Sequence, residues 1–232
     1  MSKITQFSTI GALMAGHFDG DFSINSLKSQ TLFGLGCSCG INGELTVCDG
    51  KLWEATAGES LHQFESHVVP FLQVTDFIAE HTLAATDIND ENIEQLLAEQ
   101  FPINNIFLAV NVKSCFDEVV IRRPQREESK TRTVNEMSDS QQVDTLNDVS
   151  GQLIGFWTPE LFGRISVPGF HFHFISDDRQ LSGHVLSFST AKAVVDYQVK
   201  HSIEITNSHS DAFINLDIDV SQLDELISHI EK

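Results

Sequence analysis

The feature that most constrains this chain is a run within residues 167 to 186 in which histidine alternates with phenylalanine. Successive side chains of a β-strand point to opposite faces, so a period of two predicts a strand here. His171 and His173 are then expected on one face. The three phenylalanines that flank and separate them are expected on the other face, against a core.

A hairpin is predicted directly after this strand. The polar and turn-forming segment Ser176 to Gly183 separates it from another apolar segment that begins at His184. A turn centred between residues 178 and 179 sets His173 opposite His184, because both are equally far from that centre. Directly opposed Cβ atoms lie only about 4.5–5.5 Å apart.

His171, His173 and His184 are therefore candidate ligands of one zinc ion. Three histidines with an open coordination position are typical of catalytic rather than structural zinc. Histidines on strands also occur as surface residues or as hydrogen-bonded core residues, and the chain contains ten of them. That alternative stays open at this point, because the turn centre is assumed and a bulge would change the pairing.

The composition indicates a folded protein that does not bind nucleic acids or anionic membranes. A chain of 232 residues can form one large domain or two smaller lobes, and 41% of its residues are hydrophobic. Because 14 Lys and Arg stand against 33 Asp and Glu, the formal net charge is −19. Such a charge repels phosphate backbones and anionic lipids, so we expect no nucleic-acid partner and no membrane partner.

The cysteines and the N-terminus indicate a cytoplasmic protein. The four cysteines show no spacing of a disulfide framework. A thiolate site built from Cys37, Cys39 and Cys48 is the less favoured alternative, because free cysteine is commonly a small buried hydrophobe. The N-terminal apolar run is too short for a signal peptide, and no apolar run approaches the length of a membrane span.

The elements along the chain predict a mixed α/β protein of the α+β kind, dominated by sheet and containing few helices. Helices are expected near residues 9–15 and 91–100 and from residue 221 to the end, where apolar residues recur at helical spacing. Leu45 to Trp53 carries the Asp-Gly signature of a two-residue type I′ hairpin.

Two interruptions of the sheet are also predicted. A turn is expected at residues 113–117, between two strands. Residues 123–150 are almost entirely polar and are interpreted as a linker or exposed loop. We therefore expect a single unit of residues 1–232 with two lobes, of about 1–150 and 151–232, the second of which carries the zinc hairpin.

Several motifs resemble those of the α-acetolactate decarboxylase family, in the same order and at similar spacing. They are Phe33-Gly-Leu-Gly, Asn42-Gly-Glu-Leu, Asp49-Gly, Gly155-Phe-Trp-Thr-Pro-Glu, Val167-Pro-Gly-Phe-His-Phe-His-Phe-Ile, Asp178-Arg and Gly183-His-Val-Leu. The resemblance spans nearly the whole chain.

The resemblance implies a set of site residues. The matching positions are His171, His173 and His184 for the zinc ligands, and Glu44, Arg122 and Glu231 for the catalytic residues. Arg123 is the alternative to Arg122, because this chain is one residue short just after the arginine pair. Glu44 matches a glutamate with a role in proton transfer, and Glu231 matches a glutamate near the C-terminus that reaches the site.

The implied reaction is the zinc-dependent decarboxylation of (S)-2-acetolactate to (R)-acetoin and CO₂ by a homodimer, in acetoin and butanediol biosynthesis. Acetolactate is a β-keto acid with a hydroxyl on the carbon that loses CO₂. Its ketone and hydroxyl oxygens can therefore chelate a metal, which stabilises the enediolate left behind. Arg122 would hold the carboxylate or hydroxyl, and Glu44 would deliver the proton. No organic cofactor is expected.

The sequence departs from the family's pattern at two places, and two alternative functions are weighed against the decarboxylase. Cys37 stands where the family commonly has a hydroxyl residue, and the family's Lys-Pro-Tyr stretch is missing from residues 126–134. One rival is a zinc hydrolase, in which the metal activates water. The other is a β-rich binding module with a structural metal, which would need a fourth protein ligand.

Overall fold

The computed structural model describes residues 3–126, 136 and 140–231, without the side chains of residues 228–231. Its strands are β1 (Ile4–Phe7), β2 (Phe22–Ser23), β3 (Leu32–Cys37), β4 (Glu44–Cys48), β5 (Lys51–Ala55), β6 (His62–Gln63), β7 (Val68–Val69), β8 (Phe71–Asp76), β9 (His81–Asn89), β10 (Phe107–Arg123), β11 (Gln142–Thr158), β12 (Gly169–Ser176), β13 (Ser182–Lys200) and β14 (Ile203–Thr206). Its α-helices are α1 (Ile10–Met14), α2 (Ile93–Ala98), α3 (Asp211–Ile214) and α4 (Leu223–Glu231). Short 3₁₀ turns occur at Cys39–Ile41 and Glu160–Phe162.

The first sheet has seven strands in the order β14-β1-β8-β3-β4-β5-β6. The pair β1–β14 is parallel and the other pairs are antiparallel. The chain therefore returns to its first sheet at β14, after it has built the second one. The strands β2 and β7 form a separate two-stranded ribbon.

The second sheet has the order β10-β11-β12-β13-β9, and β10 also pairs with β13. Strands β10, β11, β12 and β13 therefore close into a ring of antiparallel strands. Phe172 and Phe174 are buried in the apolar cluster of this ring, and Phe170 packs against it. The phenylalanine face predicted from the alternation is therefore confirmed as a core face.

A shared apolar cluster joins the two sheets. Phe33 and Leu35 of β3 pack in it with Ile154 and Phe156 of β11 and Ile175 of β12. Cys48 of β4 packs in the same cluster. Because every second side chain of a strand lies on the same face, the residues that share a face with Cys48 on β4 and with Ile175 on β12 point into this interface. The histidine face of β12 therefore points toward the first sheet.

The prediction of a sheet-dominated α/β fold with few helices is confirmed. The type I′ hairpin is confirmed as β4 and β5, whose turn residues Asp49 and Gly50 have φ of 52° and 71°. Thr9 caps α1 by accepting a hydrogen bond from the Ala12 backbone N–H. Leu223 of α4 packs on α1, as expected for an amphipathic C-terminal helix.

The predicted turn at residues 113–117 is wrong, because β10 runs through it from Phe107 to Arg123. Phe116 is fully buried within this stretch, while the polar residues around it are mostly exposed. Pairing with β11 holds this polar segment in the sheet, while β13 pairs with β10 up to Lys113 and again from Glu118. The polarity of this segment therefore did not predict its secondary structure, because pairing with distant strands makes it part of a strand.

The predicted linker at residues 123–150 is also partly wrong, because β11 begins at Gln142 and continues to Thr158. Residues 127–135 and 137–139 of that segment lie outside the described residues. The chain leaves the first sheet after Asp76, enters the second sheet at His81 and returns to the first sheet at Ile203. The division into lobes at residue 150 stays a prediction. No helix in the described part of the chain is long and apolar enough to cross a membrane.

Candidate metal centre

Three histidines converge where β12 and β13 meet. His173 is the register partner of His184, as the symmetric hairpin predicts. His171 lies two residues earlier on the same face of β12, and its Nε2 is 3.1 Å from Nδ1 of His184. One nitrogen from each ring lies within 4.8 Å of the others, and all three residues are buried.

Burial keeps two of these imidazoles neutral. The pKa of His173 is lowered to about 3, mainly by burial; a hydrogen bond with the Leu45 backbone opposes this, and the nearby Arg122 charge contributes to it. Burial also lowers the pKa of His171, with help from the His173 and Arg122 charges. A neutral imidazole is the form whose lone pair binds a metal.

The cluster fits a first-row transition metal. Three buried imidazole nitrogens suit zinc, copper, iron or nickel, whereas magnesium and calcium prefer oxygen ligands. Among the residues that the structure describes, His171, His173 and His184 are the group of His, Cys, Asp and Glu side chains placed to hold an ion. Three protein ligands leave a coordination position open for a substrate.

Glu44 reaches the cluster from the first sheet. It is the first residue of β4, it is 7% exposed, and its Oε2 lies 3.5 Å from His173 Nε2. Strand β4 packs against β12 and β13. Glu44 and Thr46 share one face of β4, while Leu45 and Val47 pack in a core on the other face.

Arg122 reaches the cluster from within the second sheet. It is the register partner of His184 in the β10–β13 ladder and is 8% exposed. The ladder shifts register between Val120 and Ile121, where β13 contributes one extra residue, and this bulge brings His184 opposite Arg122. Bulges commonly redirect side chains beside active sites.

Arg123, the alternative from the sequence, lies on the other face of β10. Its guanidinium donates hydrogen bonds of 2.7 and 3.1 Å to the Asp144 carboxylate on β11. Partial burial alone would raise the pKa of Asp144, but hydrogen bonds from Gln142 and Arg123 and the Arg123 charge hold that pKa below its ordinary value. The structure thus brings Arg122, and not Arg123, to the histidines.

Two further positions named from the sequence have different outcomes. Glu231 ends α4, but its side chain lies outside the described residues. Cys37 is the register partner of Glu44 and is buried in an apolar cluster with Phe71 of β8 and Leu13 of α1. Its position therefore lies beside Glu44 in the first sheet.

Sequence reasoning missed Thr46 and Ser182. Thr46 Oγ1 lies 3.3 Å from His173 Nδ1 and 2.8 Å from Ser182 Oγ. Each stands two residues from a predicted site residue, Glu44 or His184, so strand alternation alone puts it on the same face. That spacing was the signal available in the sequence.

Comparison with known proteins shows the enzyme class and the protein family of this chain. The family model for alpha-acetolactate decarboxylase matches residues 4–220. The alpha-acetolactate decarboxylase of Lactococcus lactis subsp. cremoris is 32% identical over 96% of this chain and 97% of its own length. That of Brevibacillus brevis is 32% identical over 92% of this chain and 75% of its own length.

The fold comparisons agree. The alpha-acetolactate decarboxylase of Bacillus subtilis strain 168 superposes with a TM-score of 0.92 at 25% identity, over 99% of both chains. A Staphylococcus aureus protein described as similar to alpha-acetolactate decarboxylase gives a TM-score of 0.91 at 27% identity, over 98% of this chain and 99% of its own. These matches define the chain as a carboxy-lyase. It belongs to the alpha-acetolactate decarboxylase family.

Family membership supports the decarboxylation of acetolactate, a small-molecule substrate. The zinc hydrolase considered from the sequence has no support among these matches.

Proposed function

We propose that this chain catalyses the zinc-dependent decarboxylation of (S)-2-acetolactate to (R)-acetoin and CO₂. The observation that carries the proposal is the buried cluster of His171, His173 and His184 with the Glu44 carboxylate 3.5 Å from His173. It occurs in a chain that matches the family over residues 4–220. Zinc, bound by the three histidines, would act as a Lewis acid toward the ketone oxygen of the substrate.

Arg122 is proposed to orient the substrate. Its guanidinium can donate two parallel hydrogen bonds to a carboxylate or one hydrogen bond to a hydroxyl, and its position opposite His184 puts it at the edge of the cluster. It also supplies a fixed positive charge in a protein whose net charge is −19. An anionic substrate is therefore attracted at this point and aligned there.

Glu44 is proposed to supply the proton. The bond between the carboxylate carbon and its neighbour breaks, CO₂ leaves, and the electron pair stays with the remaining substrate. One proton must then be added to the carbon that lost CO₂. A protonated Glu44 can deliver it directly or through a water, because its carboxyl group lies beside the cluster.

Glu231 belongs to the proposal on the strength of the resemblance. A cytoplasmic homodimer built from one unit of residues 1–232 is likewise proposed on that basis. Light scattering coupled to size exclusion tests the homodimer, and a monomer mass of 25.8 kDa would argue against it. Cell fractionation tests the location.

The reaction is tested with metal-replete protein and racemic acetolactate. CO₂ and acetoin are followed against a chelator-treated sample and an enzyme-free sample, and zinc is then added back in comparison with other divalent ions. Chelator-sensitive acetoin formation that zinc restores supports the proposal, and chiral chromatography of the acetoin tests the stereochemistry. Bound zinc without acetoin would argue against it.

A further inference from the structure

A chain of buried hydroxyl groups extends from His173 away from the cluster. Thr46 Oγ1 lies 3.3 Å from His173 Nδ1 and 2.8 Å from Ser182 Oγ. The Ser182 hydroxyl lies 2.6 Å from the backbone carbonyl oxygen of Phe174. Thr46, Ser182 and His173 are each at most 1% exposed.

The directions of these hydrogen bonds follow from counting protons. A carbonyl oxygen only accepts, so Ser182 uses its single hydroxyl hydrogen on Phe174. The 2.8 Å contact between Thr46 and Ser182 then needs the hydrogen of Thr46, because two oxygen lone pairs repel at that distance. Thr46 has no second hydrogen to give, so toward His173 it can only accept.

We propose that Thr46 and Ser182 are positioning residues that fix His173 with its proton on Nδ1, so that Nε2 offers the lone pair to the metal. This inference rests on the proposed function, in which His173 is a ligand. Nε2 is the nitrogen that lies 3.5 Å from the Glu44 carboxylate, on the side of the proposed chemistry. The opposite tautomer would direct the lone pair toward Thr46.

The location of Thr46 explains why a hydroxyl can hold the ring firmly. Thr46 lies on β4, in the first sheet, whereas Ser182 begins β13 in the second. β-branched threonine has a restricted χ1 angle, so Oγ1 has little freedom once the strand is packed. The same face of β4 therefore carries both the proposed proton donor, Glu44, and the group that orients a ligand.

The first readout is the metal affinity of the apoprotein, measured by competition with a chelator of known affinity. Thr46→Val removes the hydroxyl but keeps the shape, and it is expected to weaken zinc binding roughly 10- to 100-fold, as loss of such outer hydrogen bonds does elsewhere. Thr46→Ser keeps the hydroxyl and should stay within about threefold of wild type.

Thr75→Val is the matched control. Thr75 is a buried threonine of the same sheet whose hydroxyl donates to the Lys3 carbonyl oxygen, away from the histidines. Its removal should leave zinc affinity unchanged. An equal loss of affinity in Thr46→Val and Thr75→Val would overturn the proposal, because the effect would then be general destabilisation.

The second readout is the tautomer itself, from long-range ¹H–¹⁵N NMR of metal-free protein labelled at histidine. The His173 signals are assigned by their absence in His173→Ala. Wild-type protein should show the proton on Nδ1. Ser182→Ala releases the Thr46 hydrogen to donate to Nδ1, so this variant should shift toward the Nε2–H form and bind zinc more weakly.

A wild-type His173 with its proton on Nε2, or a Thr46→Val protein with unchanged tautomer and zinc affinity, would overturn the inference. Failure of wild-type protein to bind any transition metal would overturn the proposed function instead. The NMR measurement separates the two failures, because it reads the tautomer without metal.

Discussion

Arg122 and His184 are register partners across β10 and β13, and an extra residue in β13, where the ladder shifts between Val120 and Ile121, creates that pairing. Side chains of directly opposed residues lie on the same face of a sheet. The guanidinium is therefore held beside a histidine of the cluster by strand pairing, whereas Arg123 is directed to the opposite face and to Asp144.

Arg122→Ala is expected to retain zinc and to lose turnover. Hydrogen bonds to charged groups contribute about 1.5–3 kcal/mol each, so kcat/KM should fall by on the order of 100-fold or more. Steady-state kinetics with acetolactate measures the loss, and elemental analysis measures the zinc. Arg123→Ala is the matched control and should stay within a few-fold of wild type; a larger loss there than in Arg122→Ala would contradict the assignment.

Glu44→Gln should keep zinc and lose most of its turnover. Glutamine preserves the size of the side chain but carries no transferable acidic proton, and general acid catalysis typically contributes about 10²- to 10⁴-fold. The measurement is kcat at saturating acetolactate together with metal content. Glu54→Gln on the adjacent strand is the control, because Glu54 is also buried but contacts His62 and Arg126. Full activity in Glu44→Gln would exclude Glu44 as the proton donor.

His173→Ala should lose both zinc and turnover. His173 is central to the cluster, since it pairs with His184 and its ring lies beside both other imidazoles. Metal content and acetoin formation are measured together. His201→Ala removes an exposed histidine just beyond β13 and should change neither. A His173→Ala protein with full zinc content would show that the metal binds elsewhere.

The histidine hairpin could be predicted from the sequence because the pattern that defines it is local. Alternation fixes the face of His171 and His173, and the symmetric turn fixes the partner of His184. Glu44 was identified only through the resemblance, since nothing in its local sequence predicts that β4 packs against β12. The histidine pair itself required no knowledge of the rest of the fold.

The parts that could not be predicted depend on non-local pairing. The bulge in the β10–β13 ladder has no strong local signal, so the choice between Arg122 and Arg123 stayed open. The polar stretches at residues 113–117 and 142–150 belong to strands because long partners hold them there. Thr46 and Ser182 meet only when the two sheets pack.

Gly155→Ala should disturb the strand that carries the ligands. A Cβ at Gly155 would lie 2.9 Å from the backbone carbonyl carbon of His171 and against the ring of Phe172, so β12 would have to move. Overpacking of this kind costs about 1–3 kcal/mol of unfolding free energy. Urea unfolding of the apoprotein and chelator competition should show lower stability and weaker zinc binding.

The control for that variant is Gly163→Ala. The nearest atom to a Cβ at Gly163 is 3.2 Å away, and the residue has an ordinary φ of −62°. Its unfolding free energy should change less than that of Gly155→Ala. Equal zinc affinity in wild type and Gly155→Ala would show that the β11–β12 contact does not position His171.

Lys200 gives the protein a pH-dependent stability that is separate from the metal centre. Burial lowers the pKa of Lys200 to about 8, against the opposing effect of Glu80 and Asp76. Its Nζ donates hydrogen bonds of 2.9 Å to the Asp76 carbonyl oxygen and 2.6 Å to the Gln198 side chain. A neutral amine has two hydrogens, which are enough for both acceptors.

The sign of the effect follows from proton binding. Between about pH 8 and the ordinary lysine pKa of 10.5, the unfolded chain keeps a proton that the folded chain releases. The contribution of Lys200 to stability therefore rises with pH across this window, by at most about 1.4 kcal/mol per pH unit.

Urea unfolding of wild type and Lys200→Met at pH 7.5, 8.5, 9.5 and about 10.5 measures the difference. The unfolding free energy of wild type should rise relative to that of Lys200→Met as the pH rises. Lys192→Met changes an exposed position of the same strand, and its unfolding free energy should differ from that of wild type by the same amount at every pH. A difference between wild type and Lys200→Met that is flat with pH would show that Lys200 keeps its charge in the folded protein.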